Sequence, residues 1–228
     1  MTSWKTAYRS FYYQGAPEPE DPVLTAGDTA LLVIDVQNTY LHRQPPGAAG
    51  EPEIPQGWEP FHKRMDEIVT PAIASLIAEF RNRDMEVLHA RIACQLPDGR
   101  DRSLSQKKPG WNNLLLPKNE FDSQIIEEIA PVGDEIVVTK TTDSALTGTN
   151  LRLILHNLGI KHVVCVGVFT DQCVSSTVRS LADESFDVIV VEDACAAGTD
   201  ELHIQELEIM NMIYCAVMSK DELIAYLP

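Results

Sequence analysis

His162-Val-Val-Cys-Val-Gly-Val-Phe-Thr-Asp-Gln-Cys173 is the stretch from which the fold can be read. Its first half, residues 162–166, is apolar and β-branched, the signature of a strand covered on both faces. Beyond Cys173, Val174, Val178 and Leu181 recur at helical spacing, with Arg179, Asp183 and Glu184 on other faces. The chain therefore leaves a buried strand, turns sharply, and enters a helix with Cys173 near its start. Helix N-termini carry unpaired N–H groups and partial positive charge. A thiol there is predicted to have a lowered pKa, which is how a nucleophile would be built. The alternative is a small buried cysteine at a tight turn, and this stretch alone does not separate the two.

Working outward, further strands are expected over residues 29–34, 135–139, 187–191 and 214–218, and over 86–92, where His89 and Arg91 alternate with apolar neighbours. Between them lie helical patterns. Residues 62–83 place Met65, Ile68, Val69, Ile73, Leu76, Ile77 and Phe80 on one side, with a kink or break expected near Pro71. A short helix is expected around 120–129. Thr147-Gly-Thr-Asn opens another over 151–158, stopped by Gly159. Residues 200–213 form the next, and Ser219 caps a closing helical turn. This alternation predicts a single-domain, Rossmann-like α/β/α sandwich of three layers, with a six-stranded, mainly parallel sheet.

The division expected is an N-terminal arm, residues 1–28, and one main domain, residues 29–228. The arm holds Tyr8, Phe11, Tyr12 and Tyr13, then a Pro- and Glu-rich leader. The aromatic cluster predicts docking, on the body or on a neighbouring subunit. Residues 43–60 carry five prolines and three glycines, a long loop of the kind that covers sites. Trp58 and Phe61 either close a pocket or anchor that loop. Residues 95–118 are polar and irregular, with Trp111 near the middle.

The 228 residues suit one domain with a full core, and 44% hydrophobic with 23% charged residues is ordinary globular composition. A formal net charge of -16 argues against nucleic acid and anionic membranes as partners. No apolar run is long enough to span a bilayer, and the N-terminus lacks a signal-peptide core. Five widely spaced cysteines, an odd number, fit a reduced, cytoplasmic protein rather than a disulfide framework or zinc site.

Three reactive side chains stand at or just past the ends of apolar strands: Asp35, Lys140 and Cys173. In a doubly wound sheet such ends share one edge, where ligands bind. A buried carboxylate is costly without a partner, so Asp35 reads as functional. It can serve as the base for Cys173, while Lys140 stabilises both anions. Backbone N–H groups at the turn before the helix can hold an oxyanion. Arg91, near the end of its strand, is either an anion or carbonyl ligand or a structural ion pair.

Ala30-Leu-Leu-Val-Ile-Asp-Val-Gln-Asn38, the lysine after the third strand, and Gly167-Val-Phe-Thr-Asp-Gln-Cys-Val174 together resemble the cysteine hydrolase (isochorismatase-like) superfamily. The resemblance covers about residues 25–220 with the motifs in the family's order. It implies Asp35 as general base, Lys140 as electrostatic partner and Cys173 as the nucleophile that forms a thioester. It also implies a cis peptide at Val168–Phe169, an oxyanion hole from the backbone N–H groups of Phe169 and Cys173, and an aromatic pocket wall at Tyr40. Arg91, Trp111 and Gln172 complete the candidate substrate-binding residues. Nicotinamidases in the superfamily carry a metal site after the first and second strands. Here Gln37 and a histidine-free segment after Arg91 occupy those places, so neither metal nor organic cofactor is expected. The stretch from Arg91 to Asp101 is more similar to the N-carbamoylsarcosine amidase and ureido-hydrolysing branch, which implies a small linear amide or ureido substrate. Ser144-Ala-Leu146 departs from the family's Ser-Ala-Phe. Family likeness also implies a homo-oligomer, dimer or tetramer.

Competing readings remain open at this point. A haloacid-dehalogenase-type phosphatase would use Asp35, Lys140 and the acids Glu192 and Asp193, but position 37 lacks the second aspartate it needs. A dinucleotide-binding protein would need a Gly-x-Gly-x-x-Gly turn that is absent. The fold can also serve a non-catalytic binding protein, or an isochorismatase that cleaves a vinyl ether without the cysteine.

Overall fold

The structure, a computed structural model, describes residues 3–50 and 52–228. Its centre is a six-stranded sheet in the order β3-β2-β1-β4-β5-β6. The strands are β1 (Thr29–Ile34), β2 (Glu86–Ile92), β3 (Ile136–Lys140), β4 (His162–Val168), β5 (Asp187–Ala196) and β6 (Ala216–Met218). Every neighbouring pair is parallel. The helices are α1 (Glu59–Arg64), α2 (Thr70–Asn82), α3 (Leu104–Lys107), α4 (Leu151–Asn157), α5 (Ser175–Asp183), α6 (Asp200–Met210) and α7 (Lys220–Ile224).

Alternate residues of one strand face opposite sides of a sheet. In β1, Leu31 and Val33 pack with Met65, Ile73 and Leu76 from the α1–α2 side, and with Leu223 of α7. Ala30, Leu32 and Ile34 join Leu155 of α4, Val178 of α5 and Leu207 of α6. The two cores make the three layers. Chain order reverses between β1 and β4, so their carboxyl ends flank the switch-point crevice of a doubly wound sheet.

Several elements differ from the sequence reading. The helix over 62–83 is α1 and α2 joined by a π-helical turn at Met65–Val69. Pro71 has no N–H, and its ring crowds the carbonyl four residues back, so the wider turn falls just before it. The helix expected at 120–129 is two 3₁₀ turns, Phe121–Ser123 and Glu127–Ile129. Its backbone is engaged elsewhere: the N–H groups of Asn38 and Thr39 donate to the carbonyls of Gln124 and Asp122, and Ile126 N–H donates to Val36. β5 runs past residue 191, with its register against β4 jumping from Cys165↔Val190 to Gly167↔Cys195. Glu192 and Asp193 therefore sit in a bulge. The Glu192 carbonyl accepts from Arg64, and the Asp193 carboxylate accepts the Lys220 N–H at 2.7 Å. Those acids hold the chain together and do not form a strand-end site.

The N-terminal segment docks through a residue the sequence reading passed over. Trp4 is 6% exposed; its backbone N–H donates to Glu222 at 2.8 Å and its indole N–H to the Tyr226 hydroxyl. The Asn211 amide donates to the carbonyls of Ala7 and Tyr8. Phe11 and Tyr12, expected to dock, are 83% and 81% exposed. Among the described residues no helix is long and apolar enough to cross a membrane.

Candidate active site

β1 ends where the backbone changes hand. Asp35 follows Ile34 with φ +53°, a left-handed conformation uncommon for a residue other than glycine. Its N–H donates to the Ala90 carbonyl at 2.9 Å, fixing it beside the end of β2. Gln37 clamps the same region. Its amide donates to the carbonyls of Ile92 and Ser123 and accepts the Ile92 N–H. Gln37 thus occupies the position that drew attention as a metal-ligand departure, and its amide is fully spent on backbone.

On the neighbouring strand, Gly167 has φ +120°, and a Cβ there would lie 2.0 Å from the Ile34 carbonyl oxygen. Only glycine lets β4 end this close to β1. The peptide Val168–Phe169 is cis, as the resemblance implied. A π-helical turn, Thr170–Val174, then carries Cys173 into α5. The N–H groups of Gln172 and Val174 both donate to the Phe169 carbonyl, a pattern that passes over the Cys173 N–H between them.

β3 ends on Lys140, opposite Ile92 and on the face occupied by α5. The Lys140 ammonium lies 2.6 Å from Asp35 Oδ2 and 3.3 Å from Cys173 Sγ, and donates to the Thr142 carbonyl at 3.1 Å. Asp35, Lys140 and Cys173 are all buried. The ion contact at 2.6 Å is the partner that the buried Asp35 carboxyl group has in place of water.

Burial pushes the Asp35 carboxyl above the usual range, against the pull of the Lys140 charge. Burial also works against the Lys140 charge, but the Asp35 and Cys173 charges outweigh it and raise the ammonium's pKa. The Cys173 thiol is pushed well up by burial first and by the Asp35 charge second, with Lys140 opposing. The expected lowering is therefore corrected: a thiol beside a buried carboxylate, out of water, gains less from a helix start than it loses. These directions favour a protonated thiol at Cys173 and a charged ammonium at Lys140, with the Asp35 carboxyl group held against that ammonium.

The candidate substrate residues divide. The Tyr40 ring packs edge-on against Phe169, 5.2 Å between centroids. Phe169 also meets Phe61 of α1 at 5.2 Å and Trp58 of the long loop at 5.8 Å, so both join one aromatic wall. The Tyr40 hydroxyl keeps its proton: burial, then the charges of Asp35 and Cys173, hold its pKa well above the ordinary value. Gln172 lines a cavity of about 540 Å³ together with Asn112, Asp143, Asp171, Ser176 and Arg179. Arg91 belongs elsewhere. It pairs with Thr139 in the sheet register, one residue out of phase with Lys140, and so faces the other core. Its guanidinium donates to Gln124 at 2.6 Å and to the Thr139 hydroxyl at 3.3 Å, which is the structural role. Trp111 is 63% exposed, with the Lys108 ammonium 3.7 Å from its ring, and does not line the cavity. A larger cavity, about 790 Å³, lies under the N-terminal segment, away from these groups.

Two features escaped the sequence reading. Asp143 Oδ1 is 4.0 Å from Cys173 Sγ; the available signal was a carboxylate three residues beyond Lys140. The second is a support beneath the Phe169 turn. An Arg64 N–H donates to His203 Nε2 at 3.1 Å, which leaves Nδ1–H to donate to the Thr170 hydroxyl at 2.8 Å. Among the described residues no group of three His, Cys, Asp or Glu gathers in metal-binding geometry.

Comparison with known proteins places this geometry in context. A sequence model described as the isochorismatase domain matches residues 29–222. Ureidoacrylate amidohydrolase RutB of Acinetobacter baylyi is 30% identical over 82% of this chain and 78% of its own length. The secreted isochorismatase effector Isc1 of Verticillium dahliae is 29% identical, over 85% of this chain and 90% of its own. Among solved structures, N-carbamoylsarcosine amidase from Thermoplasma acidophilum superposes with a TM-score of 0.65 at 26% identity, covering 85% of this chain and 97% of the other.

Proposed function

From the premise that this chain belongs to the isochorismatase family of hydrolases, we propose that it is a cysteine-dependent amidohydrolase acting on a small linear amide or ureido compound. The observation that carries the reading is the buried cluster of Asp35, Lys140 and Cys173, with the ammonium 2.6 Å from the carboxylate and 3.3 Å from the sulfur. The names of two relatives, an ureidoacrylate amidohydrolase and an N-carbamoylsarcosine amidase, support the choice of a C–N bond.

In this mechanism Asp35 takes the Cys173 proton as the sulfur attacks the carbonyl carbon. Lys140 keeps Asp35 ionised despite its burial and steadies the developing thiolate. The carbonyl oxygen becomes an oxyanion held by the N–H groups of Phe169 and Cys173. Asp35 returns the proton to the nitrogen, the C–N bond breaks, and ammonia or an amine leaves an acyl- or carbamoyl-thioester. Asp35 then deprotonates water, which cleaves the thioester and restores the thiol. Tyr40, with Phe169, Phe61 and Trp58, forms the apolar wall of the pocket, and Gln172 stands at its mouth. These steps call on no metal and no organic cofactor.

The same reading takes a small molecule as the partner, with neither nucleic acid nor membrane, consistent with the net charge of -16. It places the protein in the cytoplasm, where five free cysteines suit a reducing compartment. A homo-oligomer, dimer or tetramer, fits the exposed Phe11 and Tyr12.

Ammonia release from biuret, N-carbamoyl amino acids, ureidoacrylate and nicotinamide tests the reading, with wild type and Cys173→Ser side by side, each with and without chelator. Chelator-resistant turnover that is lost in Cys173→Ser supports it. No ammonia from any compound, or turnover indifferent to Cys173, overturns it and directs attention to vinyl-ether cleavage.

A further inference from the structure

Next to the Cys173 sulfur stands a carboxylate that the triad does not require. Asp143 stands 4.0 Å from Cys173 Sγ and lines the cavity of about 540 Å³ with Asp171, Gln172 and Asn112. Its position is built. Lys140 donates to the carbonyl of the preceding Thr142, and the Thr142 hydroxyl donates to the carbonyls of Ser144 and Thr147. On the other side, Ser144 bonds Ser180 of α5 at 2.9 Å, and the Ala145 N–H donates to Thr177 of α5 at 3.0 Å. Asp143 is thus pinned to the helix that carries the thiol.

Three cations of this region are already committed. Arg179, the cation among the described lining residues, donates to Glu206 at 2.8 Å and to Ser175, and stacks over the Tyr214 ring at 4.5 Å. Lys140 is buried against Asp35. Arg91 lies on the other face of the sheet. Asp35 is a second carboxyl group close to the sulfur, held by Lys140.

We propose that Asp143 is a specificity-determining residue, which directs the site toward amides or ureides bearing a positively charged amino group and away from those bearing a carboxylate. This rests on Cys173 being the reacting nucleophile. A carboxylate brought next to Asp143 is repelled and finds no uncommitted cation among the described lining residues, whereas an ammonium gains an ion pair in a partly desolvated mouth. A carbamoyl or amide N–H reaching Asp35 is accepted in either case, so charge on the remainder of the substrate decides.

The test needs no knowledge of the substrate. Methanethiosulfonates of similar size label a thiolate: its sulfur attacks the sulfenyl sulfur, a mixed disulfide forms, and methanesulfinate leaves. The aminoethyl (cationic), methyl (neutral) and sulfonatoethyl (anionic) reagents are compared by the rate of labelling at Cys173, read by peptide mass. The cation is expected to label faster than the anion, and Asp143→Asn to cut that rate ratio about tenfold, the size of one charge a few ångströms away in a half-wet site. Asp143→Glu restores the ratio. Glu86→Gln removes one charge at the opposite edge of the sheet and leaves the ratio unchanged, which separates the local effect from the overall net charge. A wild-type anion rate equal to the cation rate, no cation labelling at Cys173, or a ratio unmoved by Asp143→Asn overturns the proposal. Absence of Cys173-dependent ammonia release would instead overturn the amidohydrolase reading, and the labelling ratios remain readable without turnover.

Discussion

The Lys140 ammonium lies 2.6 Å from a carboxylate oxygen of Asp35, and both side chains are essentially out of water. Such a pair adds little net stability, because each ion loses its hydration, but breaking it by removing one member leaves a bare buried charge. The Lys140 charge opposes the burial that favours protonation of the Asp35 carboxyl group.

Removing either member therefore has separable effects on stability and on activity. Lys140→Met is expected to cost about 3–5 kcal/mol in urea unfolding, from the orphaned Asp35. The double variant Asp35→Asn/Lys140→Met is expected to recover most of that loss. Both are expected to lose at least about 10²-fold in kcat/KM, the scale of a missing general base. Equal stability of the single and double variants would contradict this account.

Gly167 is the second fixed point. A methyl group at this residue would meet the Ile34 carbonyl at 2.0 Å, in a backbone conformation that L residues avoid. Gly167→Ala is expected to destabilise the fold by at least about 3 kcal/mol and to reduce activity in whatever protein folds, since Ile34 directly precedes Asp35. Thermal unfolding and soluble yield measure it. Wild-type stability would mean that the two strand ends separate easily.

Much of this was legible in the sequence, for definite reasons. β1, β4 and the first half of β5 are nearly continuous apolar runs, and β2, β3 and β6 are rich enough in apolar residues to be recognised beside them, so all six strands were found; Asp35, Lys140 and Cys173 stood out as polar groups at or just past strand ends. What the sequence did not reveal depends on contacts distant along the chain. Pairing of residues 122–126 with Val36, Asn38 and Thr39 replaces a helix by two 3₁₀ turns. One residue of register sends Arg91 to the opposite face from Lys140. Trp4 docks on residues more than two hundred positions away. The direction of the Cys173 shift was missed because helix position is visible in sequence, whereas the depth of burial beside Asp35 is not.

Acid sensitivity follows from two buried histidines. Burial, opposed by Glu135, brings His89 down to about 4, and burial with the Arg64 charge brings His203 to about 4. Unfolded, each titrates near the ordinary value of about 6.5. Between those values the unfolded chain binds more protons, so stability is full above about pH 6.5 and is lost as pH falls toward 4, by roughly 3 kcal/mol for each histidine. His89→Leu is expected to flatten part of that slope in a pH series of urea unfolding. An unchanged slope would show that His89 does not contribute.

Activity has its own acid limb. Asp35 must be ionised to accept the thiol proton, and burial raises its pKa above the carboxylate norm. kcat/KM is expected to fall on acidification through an apparent pKa above about 4. A profile flat to that pH, measured where the fold is intact, would remove Asp35 from the role of base.

Assembly is testable through Phe11 and Tyr12, which stand exposed at the tip of the N-terminal segment. Light scattering is expected to give a mass of two or four chains, and Phe11→Ser with Tyr12→Ser to shift it toward one. A monomeric wild type would contradict the assembly proposal and leave the triad untouched.

The most direct measurement is the mass of the Cys173 peptide after acid quench during steady turnover of the best amide or ureido substrate. The account predicts an added acyl or carbamoyl group on Cys173, absent in Cys173→Ser together with ammonia release. Turnover that proceeds with Cys173 unmodified and undiminished in Cys173→Ser would contradict it.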